Sequence, residues 1–409
     1  MIIGPAAVNS SVALISIFTI IIFYKEKKLK IFKNKIVIIF FIWCLYILIN
    51  SIFSKFPMLS LEASLFYFRF GILVLAFSYF CTFYKKTFIK YFFISISFCF
   101  LLLIFDSFFQ LLFNKNIFGF FNEDGRITSF FRTERILGSY LSRLLPLLIA
   151  MYFLFYKKNN NYSELSLVLL ILLTGIVVFI SGERTAFFIN ISSVLLIFIL
   201  NSHKFNLKVF FIVFLFISLF LVNLLNPNVK YRMINQTSAQ INLYDYENNK
   251  FNNLSEFNLF FTAQHEVIFK SAYKIFLTNK IFGVGPKNFR EYCKYSEFKT
   301  YTSQDGSVDG CNSSPHNIYF QLLAETGLIG FLIVLSIWFS LIYFLTRVFI
   351  YKFSSKPCIF KDYQICIMII IFINISPIIP TGNFFNSYLS TVLYLPIGFL
   401  SLFNEKNFT

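Results

Sequence analysis

Ser314-Pro315-His316-Asn317-Ile318-Tyr319-Phe320-Gln321-Leu322-Leu323-Ala324-Glu325-Thr326-Gly327-Leu328-Ile329-Gly330-Phe331 is where a long polar segment becomes a long apolar helix. Ser314 suits the cap of that helix, and Pro315 its first position, where a missing N–H leaves no bond unmade. His316 is then expected in the first turn, among backbone N–H groups that favour anions. Asn317, Gln321 and Glu325 recur every four residues and form one polar stripe on an apolar helix. Polar groups that enter a bilayer along one stripe are costly and usually functional. The bland alternative is a capped helix end with ordinary interfacial polar residues.

Working outward, the composition is that of an integral membrane protein. Apolar residues make up 57% of the 409 and charged residues 13%, about half the charged share of a soluble domain. The net charge of +17 first suggests nucleic acid. No nucleic-acid motif accompanies it, and most of the excess lies in short loops between apolar runs, where it sets membrane orientation. The 61 Phe residues are partly a coding bias and are not read as binding groups.

Apolar runs near 8–24, 36–54, 60–83, 91–113, 136–156, 165–181, 185–201, 209–225, 316–346, 364–380 and 387–403 predict an all-α membrane protein of about eleven transmembrane helices. The basic clusters are Lys25/Lys27/Lys28/Lys30/Lys33/Lys35, Lys85/Lys86/Lys90, Lys157/Lys158, Lys204/Lys208 and Arg347/Lys352/Lys356/Lys361. All fall on one side, the cytoplasmic one by the positive-inside rule, which puts the N-terminus outside. Three regions follow: a bundle of about eight helices at 1–225, an extracytoplasmic loop region at 226–315 with short amphipathic helices, and a bundle of about three helices at 316–409.

Polar groups converge on the extracytoplasmic side. Residues 125–143 carry Arg126, Arg132, Arg135 and, two turns into the next span, Arg143. Ser181-Gly182-Glu183-Arg184-Thr185 makes a tight turn whose guanidinium fork suits phosphate. In 261–276, Val267, Ile268, Ser271, Ala272, Ile275 and Phe276 share one face, as in an amphipathic helix lying on the membrane, with His265 in its first turn. Gly283-Val284-Gly285-Pro286 places Lys287 and Arg290 near the surface; with no third glycine and no preceding strand it is not a dinucleotide site. Lone arginines also snorkel, and a lone surface histidine is usually inert. Taken together, cations facing a helix start with one histidine suit an anionic, lipid-linked substrate. His316 would take a proton from an acceptor hydroxyl or, if charged, hold a leaving phosphate. Metal-ligand spacing is absent and the extracytoplasmic side lacks a carboxylate cluster, so no metal or other cofactor is expected. Of seven cysteines, Cys293 and Cys311 alone lie in the large polar segment; in an oxidising compartment they could form a disulfide. Cys44, Cys81 and Cys99 read as small core residues, and Cys358 and Cys366 lie at or near a cytoplasmic loop.

Gly283-Val284-Gly285-Pro286 with Phe289, followed by Pro315-His316-Asn317, Gln321, Glu325 and Gly327, resembles the signature of the O-antigen ligase/O-antigen polymerase superfamily. Arg126 through Gly138-Ser139-Tyr140-Leu141, and Ser181-Gly182-Glu183-Arg184, fall in the family's order, so the resemblance covers roughly 120–345. It implies a glycosyltransferase of the bacterial inner membrane with its active site facing the periplasm. The donor would be an undecaprenyl-diphosphate-linked glycan, moved without a metal to the lipid A core (ligase) or to another lipid-linked glycan (polymerase). The essential histidine maps to His316, and the essential arginines to Arg184 and one of Arg126, Arg132 or Arg135. Arg143, Asn317, Glu325, His265 and Lys287 are further expected diphosphate-site residues. The chain departs from the family in two places: it starts as if a first span were missing, and His265 stands where many members carry Arg. Two other functions compete. A protein O-oligosaccharyltransferase would use a Ser or Thr acceptor. A polysaccharide flippase would need charged residues in mid-span, and Asp106 is the one acidic residue deep in an apolar run.

Overall fold

The structure is a computed structural model that describes residues 4–28, 35–121, 125–155, 161–201, 215–216, 220, 226–240, 244–245, 250–251, 262–301, 309–354 and 360–403. Lys30, Lys33, Lys157, Lys158, His203, Lys204, Lys208, Lys356, Cys358, Phe261 and most of the expected span at 209–225 lie outside these residues. The described residues form twelve helices of eight residues or more: α1 Pro5–Lys25, α2 Lys35–Ile52, α3 Pro57–Ser64, α4 Phe68–Phe83, α5 Lys85–Phe113, α6 Leu137–Phe155, α7 Asn161–Ile180, α8 Arg184–Leu200, α9 Ala263–Thr278, α10 Ile318–Phe353, α11 Asp362–Asn374 and α12 Ser387–Gly398. Their strands are one two-residue antiparallel pair, Tyr244–Asp245 with Lys250–Phe251.

Six stretches are long and apolar enough to cross a membrane: Ala6–Lys25, Pro57–Phe83, Lys85–Phe113, Leu137–Phe155, Ser163–Ile180 and Ile318–Phe353. Ile36–Ile52, Arg184–Leu200, Asp362–Asn374 and Ser387–Phe403 are shorter apolar helices at other positions where spans are expected. The chain is a multi-pass, helical membrane protein. At its centre, α6 is buried along nearly its whole length, from Leu137 to Tyr152, and packs on α11, α8, α7 and α5. The isoleucine-rich α11 is buried likewise. Both must be apolar all round because protein surrounds them.

Polar residues near the ends of these helices fix the loops. Asp106, on α5, accepts Ile117 N–H at 2.9 Å and the Ser129 hydroxyl at 2.5 Å, and Gln110 accepts Thr128 and Ser129 N–H at 3.0 and 2.7 Å. A buried carboxylate needs such donors. Asp106 therefore fastens Ile117 and Ser129 of the following loop, a structural use for the one acidic residue deep in an apolar run. Arg143 is also turned inward. It is 4% exposed, and donates to Asn374 Oδ1 at 2.8 Å and to Ser139 Oγ at 3.2 Å, tying α6 to α11. Arg143→Ala is expected to cost about 3 kcal/mol, from lost charged hydrogen bonds and a cavity. The thermal unfolding midpoint in detergent checks this; an unchanged midpoint with a raised donor KM would return Arg143 to a substrate-binding role.

Helix α10 starts later than its sequence predicts. Asn317, not Ser314, is the cap: its Oδ1 accepts Tyr319 N–H at 2.9 Å and Phe320 N–H at 3.3 Å, and the first helical residue is Ile318. Asn caps as well as Ser, and its side chain is also bonded to the Pro377 carbonyl at 2.7 Å, which fixes the choice. Pro315 and His316 thus precede the helix. A second surprise is the break at Gly327, with φ +61° and ψ −162°. The 280–285 segment docks into the break through Val284 N–H to Ala324 O, Gly285 N–H to Glu325 O and Leu328 N–H to Lys280 O, each at 2.9 Å. Gly327 and Gly283 are glycines for a physical reason: a Cβ on the first would strike the Ile281 carbonyl, and on the second would lie 2.5 Å from the Glu325 backbone. From α2, Tyr46 donates to Thr326 O at 2.6 Å and Asn50 to Phe282 O at 2.5 Å, closing the joint.

Helix α9 is amphipathic as expected, but its apolar face is covered by protein and not left for lipid. Ile268, Ala272 and Ile275 join Val284, Phe289, Cys293, Phe298 and the α10 residue Ala324 in one cluster. Burying each large aliphatic or aromatic side chain contributes about 1.5–3 kcal/mol, enough to hold a 16-residue helix on a protein surface. Cys293 and Cys311 are disulfide-bonded within the same unit, which ties the chain just ahead of His316 to the turn after Gly285-Pro286.

Candidate active site

Two histidines from distant parts of the chain pair where α9 and the approach to α10 converge, with Arg184 of α8 near one of them. His265 sits in the first turn of α9, whose cap Thr262 accepts His265 N–H at 3.5 Å while its hydroxyl lies 2.9 Å from His265 Nδ1. The His316 ring lies 6.1 Å from that of His265, centroid to centroid and nearly perpendicular. Arg184, the first residue of α8, is near enough that its charge acts on His265. Among the described residues no side chain hydrogen-bonds or pairs with the half-buried Arg184 guanidinium.

His316 is held unusually. Its φ is +55°, a left-handed conformation rare outside glycine, and its carbonyl accepts Thr381 N–H at 2.8 Å. The segment around it is stitched to the 375–386 connection between α11 and α12: Asn317 to Pro377 O, Tyr319 hydroxyl to Ile375 O at 2.7 Å, Gln321 Nε2 to Asn383 Oδ1 at 2.9 Å, and Phe384 N–H to Gln321 Oε1 at 2.8 Å. A residue kept in a sparsely populated conformation by this many bonds is a mark of a functional position.

Both rings are driven toward the neutral form. Burial pushes the His265 pKa down to about 4, with the nearby His316 and Arg184 adding to it. Burial also lowers that of His316, opposed by a contact with the Thr381 backbone. A neutral imidazole can accept a proton. The α8 start is set by Glu183, whose carboxylate accepts Gly138 N–H at 2.7 Å and Ser139 N–H at 3.0 Å and so caps α6. Burial lifts Glu183 to about 7 in spite of those two donors. Beside the pair, Phe269 stacks on Phe320 at 4.4 Å and opens a groove of about 430 Å3 lined by Glu266, Phe269, Lys270, Tyr273, Lys274, Thr300 and Phe320.

Residues 165–335 match the O-antigen ligase family. That match supports the resemblance to the O-antigen ligase/polymerase superfamily over this stretch of the chain. The match contains Arg184, His265, the Gly283–Phe289 turn and the His316–Glu325 block, the elements that the fold brings together. No curated protein matches the chain.

The other expected site residues are placed elsewhere. Glu325 turns inward: it accepts Gln321 Nε2 at 2.8 Å and Phe289 N–H at 3.3 Å, so the polar stripe of α10 clamps the Gly283–Phe289 turn. Lys287 pairs with Glu62 at 3.5 Å, toward α3. Arg132 lies over the Phe120 ring at 4.4 Å, and Arg135 is exposed. Arg126 lines a separate cavity with Arg232. Thr262, Thr381 and Arg232 went unread in the sequence. Only Arg232 carried a signal, being another arginine on the side expected to be poor in them.

Proposed function

We propose that this protein transfers an undecaprenyl-diphosphate-linked glycan to a sugar hydroxyl at the periplasmic face of the bacterial inner membrane, without a metal. The observation that carries the reading is the His265–His316 ring pair, 6.1 Å apart at the approach to α10, with the Arg184 charge close enough to act on His265. The acceptor oxygen attacks the anomeric carbon of the donor sugar, and the bond from that carbon to the diphosphate oxygen breaks. His316 takes the hydroxyl proton, and undecaprenyl diphosphate departs with the bonding electrons. Arg184 and the N–H groups of the α8 start offset the charge that develops on the leaving oxygen. His265 stays uncharged beside the base and, with its pKa pushed down to about 4, is too weak a base to compete for the proton. The groove along α9 supports the reading further: aromatic walls rimmed by Lys270, Lys274 and Glu266, at a volume typical of small-ligand sites, suit sugar rings.

A deletion strain complemented with the wild-type chain, read on a lipopolysaccharide gel, tests this. Core capped by one repeat unit identifies a polymerase. Bare core, with polymer accumulating on the carrier lipid, identifies a ligase. An unchanged gel with an unchanged carrier-lipid pool would sink the lipopolysaccharide reading.

A further inference from the structure

One hydroxyl governs how α9 presents His265. Thr262 is the cap of that helix, and its Oγ accepts the His265 backbone N–H at 3.5 Å. The same Oγ lies 2.9 Å from Nδ1 of the His265 ring. A threonine hydroxyl has one hydrogen and two lone pairs. With a lone pair turned to the backbone N–H, its hydrogen is available for Nδ1. The ring belongs to the first turn of α9, where N–H groups without intrahelical acceptors leave a partial positive charge. That charge favours a lone pair on the ring nitrogen held at the cap and disfavours an N–H there. Both effects put the ring proton on Nε2, the nitrogen farther from the main chain. The His316 ring stands beside this one, nearly perpendicular to it at 6.1 Å.

We propose that Thr262 is a positioning residue: its hydroxyl donates to Nδ1 and holds His265 in the Nε2–H tautomer, a neutral donor to an oxygen of the leaving diphosphate. The tautomer stands on the cap geometry alone; the diphosphate rests on the proposed function. An N–H that meets an oxygen gaining charge binds it more tightly as the bond to the sugar breaks. A helix N-terminus can keep an imidazole unprotonated for such electrophilic work. A neutral donor also adds to the Arg184 guanidinium without repelling it, as an imidazolium would. The two histidines then have different tasks. His316 offers a lone pair to the acceptor's proton, and His265 offers an N–H to the leaving group. Thr262 neither gains nor loses a proton during transfer.

Nitrogen-15 NMR of the histidine-labelled full chain in detergent, at neutral pH and without substrate, reads which ring nitrogen bears the proton. His265→Gln assigns the His265 signals by their loss. Wild type and Thr262→Ser are expected to carry the proton on Nε2 with Nδ1 bare. Thr262→Asp caps a helix as well as threonine but can only accept, so it is expected to put a proton on Nδ1. A proton on Nδ1 in wild type, or a bare Nδ1 in Thr262→Asp, would overturn the proposal, since a hydroxyl that merely caps the helix leaves the ring signals alone. Transfer assays then test the donor role. Thr262→Val is expected to lower kcat about tenfold, a part of the hundred- to thousand-fold worth of a whole oxyanion donor, and Thr262→Ser to restore it. Should Thr262→Val loosen the helix, Thr262→Gly removes the hydroxyl with little harm to the cap and should show the same loss. His265→Gln keeps an N–H near the Nε2 position and His265→Asn near the Nδ1 position, so the first should exceed the second in kcat by at least about tenfold. Equal turnover of the two, or wild-type turnover by Thr262→Val once its Nε2 proton is lost, would remove the donor role. A chain without transfer activity would fail the proposed function and leave the tautomer result standing.

Discussion

His316→Asn is expected to lower kcat for glycan transfer by about a hundred- to ten-thousand-fold, the usual worth of a positioned general base. Asparagine is the informative replacement because, like His316 at φ +55°, it tolerates the left-handed backbone. The peptide bonded to Thr381 should then stay in place, and the loss reports chemistry and not a displaced loop. An amide can hydrogen-bond the acceptor hydroxyl but cannot take its proton, so donor KM should change little. The pH profile gives a second readout. Burial lowers the His316 pKa below its ordinary value of 6.5, so the ring is neutral above that lowered value and protonates below it. The acid limb of kcat/KM, which reports the free protein, should therefore fall below pH 6.5. A bound diphosphate favours the imidazolium, so the acid limb of kcat should lie at higher pH than that of kcat/KM. Undiminished transfer by His316→Asn, or a kcat/KM limb above pH 6.5, would remove His316 as the base.

Much of the fold was legible because a bilayer imposes a simple rule. Long apolar runs punctuated by lysine clusters mark helices, and α1, α4, α5, α6, α7 and α10 stand where those runs are. The parts of the site that were legible followed the same logic: Arg184 and His316 are charged or titratable groups where the statistics keep few. What failed was direction. The stripe of Asn317, Gln321 and Glu325 was visible as a periodicity, yet a period of four gives a face and not its neighbour. Its partners include Pro377, Asn383, Phe384 and Phe289, up to 63 residues away in sequence, and they consume the stripe in structural bonds. Helix α9 repeats the lesson, since its apolar face was evident and its covering was not. The His265–His316 pair had no spacing signal, being 51 residues apart and joined only through the docking of α9 on α10. Asp106 and Arg143 are the reverse case. Their cost in an apolar run is a sound argument for a partner, and each partner proved to lie inside the protein.

Arg184→Gln is expected to reduce kcat by about a hundred- to a thousand-fold and to raise donor KM as well, since a diphosphate is anionic before the bond breaks and more so on one oxygen afterwards. Arg184→Lys should fall between. It keeps the charge but not the planar fork, so it recovers ground-state binding better than turnover. Position supports this more than type does. A cation at the first residue of α8 opposes the helix dipole, an arrangement disfavoured by a fraction of a kcal/mol unless an anion sits between them. Among the described residues the Arg184 guanidinium has no carboxylate to satisfy it, because the adjacent Glu183 is spent on Gly138 and Ser139 N–H. Removing it also changes a quantity that needs no substrate. The Arg184 charge helps to hold down the His265 pKa, so Arg184→Gln should move the His265 titration upward from about 4. Histidine proton NMR on the detergent-solubilised chain reads that shift. If His265 titrates as in wild type, Arg184 is not where the site requires it; if it shifts while transfer stays at wild-type rate, the guanidinium is present but is not what stabilises the leaving diphosphate.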